Sequence, residues 1–146
     1  MVRKRAIENS GLFYWLPLFF LIIMENVITG RKGNYILVMS LKEPTEQIIP
    51  KFGNVSLLPG HYYYCGSAHG NGGLKSRITR HLAKDSKRFW HIDYIKKHMR
   101  ILEVWCEVCP ENNECGYSHF FANQKNAVIP IDGFGQLIVR TCADHI

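Results

Sequence analysis

Arg77 and His81 stand four positions apart, in a run whose apolar residues Leu74, Ile78 and Leu82 repeat with the period of a helix. That spacing stacks the two side chains one turn apart. A guanidinium can grip a phosphate with two parallel hydrogen bonds, and an imidazole beside it can pass or accept a proton. Arg80 and Lys84 continue the same basic stripe, and Lys87 and Arg88 follow it. Glu114 shares an i, i+3, i+7 stripe with Tyr117 and Phe121, and an acid on an apolar stripe invites a metal ion. Each residue also has a plainer use. The basic residues fit a solvated helix face, and Glu114 suits the positive end of a helix.

Charge sharpens the phosphate reading. Residues 75–100 hold nine Lys/Arg against Asp85 and Asp93, a net +7 where the whole chain carries +6. So concentrated a block is the footprint of a phosphate-backbone binder. At 146 residues, 47% hydrophobic and 21% charged, the chain is one globular domain with an appendage, neither disordered nor fibrous. Five thinly spread cysteines argue against a secreted disulfide framework and for a reducing, cytoplasmic setting.

The elements that must position these residues are short. Gly33–Ser40 reads as a strand with Tyr35, Leu37 and Met39 on one face and Ile36 and Val38 on the other. His61–Cys65, after the Pro59-Gly60 turn, reads as a second strand carrying Tyr64, and residues 41–58 leave room for a short strand in an insertion. The two tyrosines also suit ordinary strand cores. Helices are expected over Leu74–Lys84 and Trp90–Met99. A third strand follows over Ile101–Val108, with Leu102, Val104, Cys106 and Val108 against Glu103, Trp105 and Glu107. A last helix starts with Asn113 as N-cap and Glu114 in its first turn. Three strands with helices between and after them make a small α/β domain.

Taken in order, Gly33-Asn34-Tyr35, Tyr64-Cys65-Gly66, Arg77 with His81, and a later glutamate resemble the GIY-YIG nuclease superfamily. The chain is most similar to a poorly characterised subgroup, through Tyr64-Cys-Gly-Ser-Ala68, Gly73-Leu74, Trp90-His91-Ile92-Asp93, Glu114-Cys115 and Gly133-Phe134-Gly135. The likeness covers about residues 32–140. It implies an α+β fold with a three-stranded, mainly antiparallel sheet flanked by helices, and metal-assisted hydrolysis of phosphodiester bonds in DNA. Under it Tyr35 orients or deprotonates the attacking water, Tyr64 supports it, Arg77 grips phosphate and His81 moves a proton. Glu114 holds Mg²⁺ or Mn²⁺, with water in the remaining positions. Arg80, Lys84, Lys87 and Arg88 bind the nucleic acid, and His91 and Asp93 support the site from behind. Cys65 and the long 36–63 interval depart from the compact nucleases. Gln136-Leu137-Ile138 departs from the subgroup's usual continuation, and the superfamily's asparagine has two candidates, Asn123 and Asn126.

Other classes compete. A catalytically silent nucleic-acid-binding module keeps the basic stripe without turnover. A zinc site could draw on Cys106, Cys109 and Cys115 with Cys142 or His145, although a strand through Val108 turns Cys106 and Cys109 to opposite faces. Residues 1–30 form an appendage to a domain over 31–146. Their unbroken apolar run, Leu12–Met24, is too short to span a bilayer. It fits a mis-called start before Met24, a membrane anchor, or a packed or cleaved segment.

Overall fold

A computed structural model describes residues 2–5, 30–83, 87–131, 133–134 and 137–141. The apolar run 12–24, Lys84, Cys142 and His145 lie outside the described residues. Among the described residues, eight strands and three α-helices follow in the order β1 (Val2–Arg5), β2 (Gly33–Leu41), β3 (Thr45–Ile49), β4 (Gly53–Leu57), β5 (Gly60–Ala68), α1 (Gly73–Leu82), α2 (Ile92–Ile95), β6 (Arg100–Val108), α3 (Glu114–Ala122), β7 (Ala127–Val128) and β8 (Leu137–Thr141). A 3₁₀ turn, Lys96–His98, joins α2 to β6.

The fold is α+β. One sheet holds six strands in the order β1-β6-β2-β5-β8-β7, every neighbouring pair antiparallel, and β3 and β4 form a separate hairpin. The expected three-stranded sheet is therefore its centre, β6-β2-β5, and the count of three is corrected to six. The two C-terminal strands escape sequence reading for a physical reason. β7 has two residues and β8 has five, too few to show a period. The expected helix Trp90–Met99 is shortened to α2 and its 3₁₀ turn. The Asp93 carboxylate accepts the backbone N–H groups of Phe89 and Trp90, each at 2.9 Å, so residues 89–91 form a turn in front of α2.

Alternation along β2 divides the core as its residues dictate. Tyr35, Leu37 and Met39 enter the larger cluster, beneath α1, α2 and the β3–β4 hairpin; Ile36 and Val38 enter the smaller one, beneath α3. β6 follows suit, with Val104 and Cys106 on the first face and Trp105 on the second. A register shift opposite Val38 and Met39 brings Ile101 across from Met39, which is how a bulge resets the alternation of one strand against its neighbour. At Gly33 a Cβ would collide with the Glu107 carbonyl and lie 2.9 Å from Leu74 Cδ1. Only glycine lets β2, β6 and α1 approach so closely there. Among the described residues no helix is long and apolar enough to cross a membrane.

Candidate active site

Tyr35 is fixed from both ends. Its ring lies across Gly66, its partner on β5, where any Cβ would fall on the ring. Its hydroxyl is hydrogen-bonded to His81 Nε2 on α1 at 2.8 Å. Tyr64 stands two residues before Gly66 and therefore on the same face, with its ring 5.9 Å from that of His81. β8 pairs with β5 only through Gly60–Tyr64, so no strand lies alongside the rest of β5 on that side among the described residues. There α3, packed on the opposite face, brings its first residue to the same opening.

The result is a cleft of about 330 Å³ whose walls include Tyr35, Tyr64, Arg77, His91 and Glu114. Four chain segments thus deliver two phenols, a guanidinium and a carboxylate to one space. Glu114 is half-buried, but not by the stripe inferred from sequence. Tyr117 and Phe121 pack on the opposite sheet face, whereas Glu114 reaches the cleft because it starts the helix. Asn34 sets that start. Fully buried beside Tyr35 but pointing the other way, it donates to the Glu111 carbonyl and accepts the Asn113 N–H, both at 3.0 Å. One dipeptide therefore places Tyr35 on one face and clamps the lead into Glu114 on the other.

Burial sets the protonation states. It pushes the Tyr35 hydroxyl well above its ordinary value, with Tyr64 and Glu114 adding to the rise and Arg77 opposing it. Tyr64 is raised by burial and by Glu114, again against Arg77. Both phenols are neutral at physiological pH. His81 is 2% exposed; burial and then Lys96 lower it to about 3, and Asp93 only partly opposes them. Its imidazole is neutral, and its Nδ1 has no hydrogen-bond partner among the described residues.

A folded value below the unfolded one makes acid destabilising through His81, because the unfolded chain binds the proton more tightly. This contribution is complete above about pH 6.5, the unfolded value, and is lost as pH falls toward 3. Between pH 7 and 5, wild type should lose about 2 kcal/mol more unfolding free energy than His81→Gln. Urea titrations at the two pH values measure the difference. Equal losses would mean that His81 is not held neutral.

The remaining candidates divide into two groups. Arg80 bonds to the Asp93 carboxylate at 3.3 Å and to the Lys87 carbonyl at 3.0 Å. Burial raises Asp93, but the Phe89 and Trp90 N–H groups and Lys96 outweigh it and leave the carboxyl below its ordinary value. Arg80 and Asp93 thus brace the turn carrying Trp90, whose ring has the guanidinium carbons of Arg77 and Arg80 4.1 and 4.0 Å from its centroid. Lys87 and Arg88 are exposed. Asn123 donates to the His119 carbonyl at the end of α3, and Asn126 has a left-handed backbone; neither lines the cleft. Sequence reading missed Lys51 and Phe52, from the hairpin tip, which also form the wall. Phe52 packs edge-on to His91 and against Phe134. Only the folding-back of the hairpin reveals them.

Among the described residues no three His, Cys, Asp or Glu side chains converge. Cys106 is buried in the core, the Cys109 thiol donates to Glu111 at 2.8 Å, and Cys115 is exposed. These three do not come together as the zinc set that stood as a rival reading. Glu114 offers something different, a single hard oxygen donor in a cleft with phenol oxygens. That suits a small divalent cation that keeps much of its water.

The family profile Domain of unknown function DUF123 matches residues 34–146. The chain belongs to this family. The match begins at Asn34 and takes in every residue of the cleft named above, so the site lies wholly within the DUF123 domain. No curated protein and no solved structure matches the chain.

Proposed function

We propose that this DUF123 domain is a GIY-YIG-type endonuclease that hydrolyses phosphodiester bonds in DNA with Mg²⁺ or Mn²⁺. One observation carries the reading: Tyr35, Tyr64, Arg77 and Glu114, from four separated segments, line a single open cleft, with His81 bonded to Tyr35 from behind. Glu114 is the residue that would hold the cation, which when bound supplies positive charge against the oxygens that gain charge during cleavage. Arg77 grips a non-bridging phosphate oxygen and is itself held in place over Trp90. Tyr35 orients the attacking water. With His81 Nε2 accepting the Tyr35 hydroxyl proton in a hydrogen bond, the phenol oxygen keeps its lone pairs for that water.

His81 serves better as an orienting acceptor than as a terminal base. With its value near 3, holding a full proton at pH 7 costs about 5 kcal/mol. The positive block 75–100 supplies the attraction for the DNA backbone, and the reducing setting expected of its cysteines makes the domain cytoplasmic.

Purified protein should convert supercoiled plasmid to the nicked circle with Mg²⁺ or Mn²⁺ and not with EDTA. Its DNA affinity should fall steeply between low and moderate salt as counterions are released. Salt-sensitive binding without nicking would leave only a silent DNA-binding module. Salt-insensitive binding would remove the phosphate reading altogether.

A further inference from the structure

Phe89 is 73% exposed and joins no core cluster, yet it is not loosely held. Its N–H and that of Trp90 are both bonded to the buried Asp93 carboxylate, which is pinned by Arg80 and Lys96 at 3.3 Å each. The Phe89 ring meets Trp90 edge-on, with centroids 5.1 Å apart, and the Arg80 guanidinium lies 5.1 Å from the Phe89 centroid. Trp90 in turn forms a wall of the candidate cleft and also of a smaller recess, about 180 Å³, shared with Arg77 and Arg80. A large apolar ring is thus displayed to water against Trp90, the residue that walls both openings, on a turn fixed by charged hydrogen bonds and beside cationic groups.

We infer that Phe89 is a stacking platform for an unpaired DNA base next to the cleft, so that the favoured substrate carries a single-stranded segment there. The inference rests on the nuclease reading for its substrate, and the chemistry follows from the parts. A flat exposed ring stacks on the face of any base, and arginine beside it adds attraction to the base and its phosphate. In duplex DNA both faces of each base are already covered by its neighbours, so the ring gains nothing without unstacking. The fixed turn removes the ordering cost that a mobile aromatic would meet on binding.

The test compares a fluorescein-labelled twelve-nucleotide single strand with the matching twelve-base-pair duplex in EDTA, so that no cleavage intervenes. Phe89→Ala should weaken single-strand binding roughly five- to hundredfold, the worth of one stacked base. Duplex affinity should stay within about twofold. The salt slope should not change, because no charge is removed. Phe89→Trp should restore the single-strand affinity. Equal losses on both probes, no loss on either, or no single-strand binding by wild type would each overturn the platform. Plasmid nicking by wild type is read separately. Nicking without a Phe89 effect ends the platform and keeps the nuclease; a selective Phe89 effect without nicking ends the nuclease and keeps the platform.

Discussion

Glu114→Gln should lower metal-dependent nicking by at least about a hundredfold, the scale on which loss of one preorganised electrostatic contact is felt, while DNA affinity stays within about twofold of wild type. The substitution preserves shape and removes one negative charge. The start of α3 survives it, because Asn34 holds the loop at Glu111 and Asn113, and Ser118 Oγ donates to the Glu114 backbone carbonyl rather than to its side chain. The charge also acts on its neighbours. Glu114 helps to raise both Tyr35 and Tyr64, so its loss moves both hydroxyls back toward their ordinary values. A variant whose only defect were in proton transfer from water would therefore be helped, not harmed. A large fall in rate with binding intact then points to a cation that the neutral amide no longer holds, and raising Mn²⁺ should recover part of the activity. Unchanged nicking by Glu114→Gln would remove the carboxylate from the chemistry. Equal loss of binding and nicking would make it a structural residue.

Legibility in the sequence followed the reach of each signal. Strict alternation in Tyr35–Met39 and in Val104–Cys106 placed each side chain on its observed face, since a one-residue error would turn the whole strand over. The spacing of Arg77 and His81 placed them one turn apart, but not their surroundings. Read as a stripe, Arg77, Arg80 and His81 suit a solvated face. In the fold His81 is buried against Tyr35, and both arginines cover Trp90. Helical spacing gives an angle about an axis and says nothing of what lies there. Glu114 shows the opposite case: it lines the cleft, but not for the reason its spacing suggested. Its stripe faces away from the cleft, and its place comes from the helix end and Asn34. Lys51 and Phe52 were illegible because only the packing of a hairpin onto α2 brings them near His91, and residues 41–58 carry no pattern that encodes where the hairpin folds.

The second large effect is expected where no functional group is touched. Gly66→Ala puts a methyl onto the Tyr35 ring, and neither side can easily retreat. Gly66 lies inside the continuous β2–β5 ladder, and the ring is tethered at its hydroxyl to a histidine that is itself buried. Overpacking of this kind costs about 1–3 kcal/mol, roughly 4–10 °C in melting temperature for a domain of this size. The loss in nicking should exceed what stability explains, about a hundredfold at temperatures where the variant is folded, because a shift of about 1 Å in a positioning group is enough. A double-mutant cycle separates the two effects. In a Tyr35→Ala background the ring is gone, and Gly66→Ala should cost little further stability, leaving a coupling of at least about 1 kcal/mol, as expected for residues in direct contact. Tyr35→Phe should not relieve the clash, since the built Cβ meets ring carbons as well as the hydroxyl. If Gly66→Ala melts and nicks like wild type, the ring does not lie across β5. The hydroxyl then has no fixed place beside Glu114 and Arg77, and the cleft loses the group that would aim the water.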